Sequence, residues 1–378
     1  MAPIKVGIVG CRYSAQVFHL PYILPNPDFD IYAVLQRTPA PKAGEAPPPF
    51  GHCTIDFPRA KHHATANSFF ADSNIDLVVV CTRVHEDFVE ASIKAGKHVV
   101  VEKPFVPTSA IADRLIQLAT EKNKILTVFH NRRFDNDFLT LQYLINEGAL
   151  GEVKEAELHF DVNAAPWVAN WNRKKYTPGE GITFGLGTHT IDQALLLFGP
   201  PKSVTGFLRS NRGIDSDIDD TFIIILQYGG ERRGLLVTIK TGIITHMQDQ
   251  LKYFVRGTKG TYLKVCMLRS CPFTSAAAPG KPARADSFGV EPERLWCTLS
   301  TETEFDSKVQ KYDNSSKMYI GRYPTIRGRY RGYYEKVADA ILGRSGGVYV
   351  KPETARDGLR IIELVCVFHT KGAAVPFS

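Results

Sequence analysis

Short runs of Val, Ile and Leu recur through the first third of the chain with helix-like segments between them, and this alternation constrains the fold most. The runs fall at 4–9, 31–35, 77–81, 98–101 and 125–129. Apolar runs of this length suit strands of a parallel sheet covered on both faces. Helical candidates at 15–24, 87–95 and 111–122 separate them, and Gly96 stands where a helix would be capped before the next strand. The pattern predicts a doubly wound α/β domain over residues 1–130. Residues 39–50 are rich in Pro, Ala and Gly and predict an exposed loop after the second strand.

Beyond about residue 158 the strand-like runs lengthen, as at 221–228, 233–241 and 251–256, with hairpin-type turns at 228–231 and 257–260. A second, α+β domain with a large, mostly antiparallel sheet is therefore expected over 131–378. Residues 270–291 read as a long excursion, and 333–342 and 352–371 as two C-terminal helices, the second with a proline in its first turn. A chain of 378 residues has room for both domains.

Composition removes several function classes. No run reaches the eighteen apolar residues a membrane helix needs, and the chain enters a strand without a signal-type leader. Seven scattered cysteines, without metal-type pairing, predict free thiols, no metal site and a cytoplasmic protein. The net charge of +7 is modest and dispersed apart from Arg322, Arg327, Arg329 and Arg331, so no nucleic-acid partner is expected.

The ends of the predicted strands carry the chemistry. After the first strand comes Gly10-Cys11-Arg12-Tyr13-Ser14-Ala15. A dinucleotide fingerprint has Gly-x-Gly-x-x-Gly/Ala there, so Gly10 and Ala15 fit while Arg12 replaces the middle glycine. The second strand runs into Gln36-Arg37-Thr38 with no acid for a ribose 2′-hydroxyl. Arg37 would instead fork onto a 2′-phosphate, which favours NADP(H) over NAD(H). After 98–101 stands Glu102-Lys103-Pro104, which puts an amine where open α/β sheets bind ligands. Further on, Gly187-Thr188-His189-Thr190-Ile191-Asp192 opens an apolar run ending at Gly199.

Taken together, these segments resemble the glucose–fructose oxidoreductase / inositol dehydrogenase (Gfo/Idh/MocA) family of NAD(P)-dependent enzymes. The resemblance implies that Lys103 hydrogen-bonds the substrate oxygen and that His189 is the general acid/base, the two forming the catalytic pair. It places Glu102 near the nicotinamide ribose, and Tyr13 and Ser14 beside Gly10, Arg12 and Ala15 at the cofactor. Asp192 would share a helical face with His189 and bind substrate. Asn131 and Arg132, in the segment 128–135, would face cofactor and substrate respectively. Two departures stand out: Gly185 where many members carry an aspartate, and a shortened loop Thr82-Arg83-Val84-His85, whose Thr82, Arg83 and His85 would line the cofactor cleft differently. Trp167, Trp171 and Tyr176 lie in an aromatic-polar loop that suits a sugar ring or, equally, a loop anchored in the core.

The expected activity is hydride transfer to or from a small carbonyl or alcohol, a sugar, polyol or related metabolite, with C=O or C=N reduction as a variant. A non-catalytic NAD(P)-sensing regulator of the same fold is the alternative. A homodimer or homotetramer through the C-terminal sheet is the expected assembly.

Overall fold

In the computed structural model, residues 2–42, 44–46, 51–163, 166–169, 171–267, 289–372 and 375–376 are described. The chain divides into two compact units, Met1–His130 with Tyr330–Arg356, and Asn131–Arg329 with Asp357–Ser378.

Among the described residues the first unit is built on six strands: β1 (Ile4–Val9), β2 (Phe29–Leu35), β3 (Lys61–His63), β4 (Leu77–Val80), β5 (His98–Val101) and β6 (Leu126–Val128). They form one sheet in the order β3-β2-β1-β4-β5-β6, with every neighbouring pair parallel. Every residue of β4 is fully buried, as a central strand covered on both faces requires. The strand order reverses between β1 and β4, and ligands of such sheets bind at the C-terminal strand ends there.

Three local features of this unit depart from the sequence reading. First, the segment expected as a helix over 15–24 is a π-turn, Ala15–His19, followed by one α-turn, Leu20–Ile23. The Leu20 N–H bonds to Ala15 O five residues back, and Pro21 then has no N–H to continue an α-ladder. Second, β3 and the helix Ala66–Phe70, capped by the Thr65 side chain, lie where no element was expected. Third, the helix Arg331–Ile341 belongs to this unit, although chain order had put it in the second domain. Its Tyr333 and Tyr334 are buried: Tyr333 meets Phe129 at 4.8 Å and Tyr334 meets Phe29 at 5.8 Å between ring centres.

Among the described residues the second unit holds ten strands: β7 (Val153–His159), β8 (Ser203–Arg209), β9 (Thr221–Gln227), β10 (Leu236–Thr241), β11 (Asp249–Gly257), β12 (Gly260–Met267), β13 (Cys297–Thr301), β14 (Gln310–Asp313), β15 (Met318–Tyr323) and β16 (Val375–Pro376). Their order is β14-β15-β13-β12-β11-β7-β10-β9-β8-β16. Among the described residues only β7 and β10 pair in parallel; the remaining neighbours are antiparallel. Period-two alternation makes one face apolar, and Leu158, Ile224, Ile239, Val255, Tyr262 and Leu299 on it are wholly buried.

Helices cover that face. Tyr262 Oη donates to Asp137 O in the helix Asn136–Asn146. A Cβ on Gly206 of β8 would fall 2.6 Å from Val365 in the helix Pro352–Lys371, so glycine permits the close approach. The opposite face presents Phe207, Ile223, Leu236 and Leu263, each 38–40% exposed. Of the expected excursion over 270–291, residues 270–288 lie outside the described residues. Among the described residues no helix is long and apolar enough to cross a membrane.

Candidate active site

In the first unit, the residues singled out from the sequence stand at the C-terminal ends of adjacent strands. Gly10 ends β1 with φ +87°, and a Cβ there would lie 3.0 Å from the Thr82 side chain and 3.3 Å from the Cys81 carbonyl. The turn after β1 thus lies against the exit of β4, and its positive φ and close contacts favour glycine there. Among the described residues only Asn123 and Lys317 have positive φ without being glycine, so Arg12 occupies the middle fingerprint position without left-handed strain. Its side chain is exposed, as are those of Tyr13, Arg37 and Arg83. Cys11 is buried beside this turn, and burial, with Cys53 and Asp56 nearby, pushes its thiol up to about 12.

The tip of β2 carries no acid. Gln36 is committed to the following loop, its Nε2 donating to Gly51 O (3.3 Å) and its Oε1 accepting from Cys53 N (2.9 Å). Thr82 Oγ1 donates to Val84 O at 2.7 Å and closes the short turn after β4. His85 is buried with Nδ1 2.8 Å from Pro104 O and 3.0 Å from Phe105 O. That nitrogen fixes the segment following Lys103.

Glu102 is hydrogen-bonded by three partners. Its Oε1 accepts from Ser14 Oγ (2.6 Å) and lies 3.1 Å from His19 Nε2, while Oε2 accepts from Lys103 N (2.9 Å). Burial alone would raise its carboxyl, but His19, Lys103 and Ser14 outweigh that and hold it near 2, at about 2 against an ordinary 4.5. Glu102 is an anion throughout the working pH range. Lys103 is half-buried beside it.

The second unit gathers Arg132 and His189 around one aromatic ring. Phe160, just after β7, stacks on the His189 imidazole with ring centres 6.4 Å apart and planes 19° apart. The Arg132 guanidinium lies 4.7 Å from the Phe160 centre and Lys252 Nζ 4.4 Å, both within cation–π range. Arg132 also pairs with Asp135 at 3.0 Å, and its carbonyl accepts from Gln193 Nε2. Asn131 is buried next in sequence. His189 lies in the first turn of the helix Thr188–Phe198, with Asp192 one turn on. Asp192 is bound bidentately by Arg133, Nε to Oδ2 at 2.8 Å and Nη2 to Oδ1 at 2.6 Å, both side chains buried.

Comparison with known proteins matches these two units. Residues 4–130 match the oxidoreductase family with an NAD-binding Rossmann fold, and residues 138–263 match the GFO/IDH/MocA C-terminal domain. An uncharacterized oxidoreductase of Schizosaccharomyces pombe is 36% identical, covering 100% of both chains. The chain belongs to the Gfo/Idh/MocA family. A scyllo-inositol 2-dehydrogenase (NADP(+)) of Bacillus subtilis is 31% identical over 96% of this chain and 92% of its own. The solved structure of the Bacillus subtilis protein yvaA, described as an oxidoreductase, superposes with a TM-score of 0.82 at 27% identity, covering 100% of this chain and 99% of that one. This Gfo/Idh/MocA chain is accordingly an NAD(P)-binding oxidoreductase.

Other expected site residues of this family member are tied to structural partners. Trp167 and Trp171 are half-buried, and the Trp171 carbonyl accepts from Arg212 Nε at 3.2 Å. Tyr176 Oη lies 3.8 Å from the Cys366 thiol, and burial pushes the phenol well up. Gly185 sits in the π-turn Thr183–Gly187 that leads into the His189 helix. That turn is anchored by Asp219, which accepts from Thr183 N (2.8 Å) and Thr183 Oγ1 (2.5 Å). Burial lifts the Asp219 carboxyl to about 6 against the lowering effect of those two donors.

His52, Cys53 and His62 bring possible metal-ligand atoms within 4.8 Å of one another. Their atoms already serve the loop: His52 Nδ1 accepts from Thr54 N and Nε2 meets Thr38 O, while His62 Nε2 meets Gln36 O. Burial pushes the Cys53 thiol up to about 11, away from the thiolate a metal needs.

The sequence reading missed His19, Tyr334, Arg133, Phe160 and Lys252. His19 had a visible signal, a lone imidazole inside the apolar stretch Val17-Phe18-His19-Leu20-Pro21. A buried polar side chain in such a stretch needs a partner.

Proposed function

We propose that the protein is an NADP(H)-dependent oxidoreductase that moves hydride to or from a small polyol, sugar or related carbonyl compound. The observation that carries the cofactor half is the C-terminal edge of β1, β2 and β4. There the Gly10 turn has a positive φ and leaves a Cβ tightly crowded, Arg12, Arg37 and Arg83 are exposed, and Gln36 replaces the acid that would repel a 2′-phosphate. These residues fit a phosphorylated dinucleotide: the turn after β1 would take the pyrophosphate and Arg37 the 2′-phosphate. When bound, the nicotinamide supplies or accepts the hydride.

Lys103 and His189 are the proposed catalytic pair. The Lys103 ammonium stabilises negative charge developing on the substrate oxygen, and the His189 imidazole gives or takes its proton. Glu102 accepts a ribose hydroxyl, while Asn131 and Arg132 contact cofactor and substrate. The scyllo-inositol relative supports a polyol as the substrate class. The open sheet face with Phe207, Ile223, Leu236 and Leu263 supports a homodimer or homotetramer formed through the second unit.

The test is a fluorescence titration with NADP+, NADPH, NAD+ and NADH. NADP(H) should bind more tightly, and Arg37→Ala should weaken it about 10–150-fold, as loss of a charged hydrogen bond of about 1.5–3 kcal/mol implies. NAD(H) binding should stay unchanged. Equal dissociation constants for the two cofactors in the parent protein would refute the preference.

A further inference from the structure

A hydrogen-bonded chain runs through the interior of the first unit from its C-terminal return to the strand tip that carries Lys103. Tyr334 Oη lies 2.6 Å from His19 Nδ1, and His19 Nε2 lies 3.1 Å from Glu102 Oε1. Ser14 Oγ and Lys103 N complete the donors on the carboxylate. Tyr334 and His19 are 0% exposed and Glu102 is 7% exposed. We propose that Tyr334 and His19 are positioning residues that hold Glu102 as a fixed, acceptor-only anion for the cofactor without touching the cofactor themselves. The inference rests on the dinucleotide reading above.

The acceptor arithmetic supports it. An ionised carboxylate has about four acceptor sites. Three are filled, two on Oε1 and one on Oε2, which leaves one on Oε2 for a ligand hydroxyl. His19 must present Nε2–H to Glu102 for this, and the phenol at Nδ1 holds the ring in place. The His19 ring also lies on Phe129, centres 4.1 Å apart.

Apolar packing alone would not call for the chain. Phe29, Phe129 and Tyr333 already supply the aromatic surroundings, and a buried carboxylate is costly unless fully bonded. The chain also joins three distant parts of the sequence: the turn after β1 through Ser14, the tip of β5 through Glu102, and the returning helix through Tyr334.

The titratable groups facing Glu102 are His19, Lys103, Cys81 and, through His19, Tyr334. Burial, with the charge of Glu102 adding to it, pushes both the Cys81 thiol and the Tyr334 phenol well up, so these two stay neutral. The His19 and Ser14 hydrogen bonds and the nearby Lys103 charge oppose the burial of the carboxylate. Removing the His19 donor therefore raises the Glu102 pKa, and protonation moves up into a higher pH window.

The test measures NADP+ and NADPH dissociation constants of the full chain at about pH 7.5 and 5.5, with the thermal midpoint of each variant. Tyr334→Phe deletes only the hydroxyl. His19→Phe/Tyr334→Phe removes both polar groups while keeping two rings, and its thermal midpoint reads the cost of the donor taken from Glu102. Tyr334→Phe should weaken NADP+ about fivefold, the effect of one ordinary hydrogen bond. The double variant should weaken it more, and further at the lower pH.

NADPH should suffer less, because only the oxidised ring carries a positive charge for the carboxylate to attract. In a Glu102→Gln background Tyr334→Phe should have no further effect. Parent-like binding in both variants at both pH values overturns the inference, as does an undiminished Tyr334→Phe effect in that background. Failure of both variants to fold would mark the chain as structural and also overturn it. A parent protein that binds no dinucleotide instead contradicts the cofactor reading itself.

Discussion

Asp192→Asn is the sharpest test of how the second unit is built. By spacing alone Asp192 shares a face with His189 and reads as a substrate ligand. In the structure both of its oxygens are bound by Arg133, at 2.6 and 2.8 Å, with side-chain exposures of 2% and 3%. Asparagine keeps the volume but removes the charge, leaving a buried guanidinium without the carboxylate that neutralises it. Breaking a buried pair from one side costs about 3–5 kcal/mol. At roughly 2–4 °C per kcal/mol for a unit of this size, the thermal midpoint should fall by roughly 6–20 °C. Differential scanning fluorimetry with near-ultraviolet circular dichroism reads this directly. Replacing both partners, Arg133→Met with Asp192→Leu, should recover much of the loss, because the desolvation of both charges disappears with them. A midpoint unchanged within about 2 °C, with KM for substrate raised, would refute the structural assignment and restore the ligand role.

Two further outcomes follow from groups already described. Asp219 has a folded pKa of about 6 against an ordinary 3.8, so its preference for the proton stabilises the fold fully below about pH 4 and is lost as pH rises through about 6. The swing is about 3 kcal/mol, and Asp219→Asn should flatten it in urea unfolding between about pH 4.5 and 7.5; parallel profiles for the two proteins would contradict this. Gly10→Ala should cut NADP+ affinity at least tenfold while costing about 1–2 kcal/mol of stability, since φ +87° disfavours a Cβ that would also meet Thr82; an alanine variant that binds like the parent would show that the turn relaxes without loss.

Much of the first unit was legible in the sequence because its central strands are continuous apolar runs, and 98–101 and 4–9 match β5 and β1 residue for residue. The edge strand β3 escaped because Lys61-His62-His63 has no apolar pattern and buries only its last side chain. The return of Arg331–Ile341 to the first unit depends on Tyr333 and Tyr334 meeting Phe129 and His19, and no local period encodes partners some two to three hundred residues away.

The candidate site divides in the same way. Gly10 and Lys103 announce themselves through strand-end motifs, because a turn or a strand tip is a local property. The Arg133 pairing of Asp192, the Tyr334–His19–Glu102 chain and the Phe160 ring shared by Arg132, Lys252 and His189 arise from packing between elements far apart in sequence. The Cys366 contact of Tyr176 is of the same kind. Residue type left a sugar-facing loop and a core-anchored loop equally open for that tyrosine, and its half-buried contact with Cys366 is a packing partner that residue type does not encode.

The most direct test of the proposed chemistry follows absorbance of the reduced cofactor with NADP+ and a panel of inositols, sugars and simpler polyols. The parent protein should turn over at least one of them. Lys103→Ala and His189→Ala should each lower kcat by roughly 10²–10⁴-fold, as loss of a general acid or of an oxyanion partner does. His189→Ala should keep the parent NADP+ affinity and remain folded, with a thermal midpoint lowered by the lost packing on Phe160. Full turnover by His189→Ala on an identified substrate would contradict the mechanism, and NADP+ binding without turnover on any member of a broad panel would favour a cofactor-sensing regulator over the enzyme.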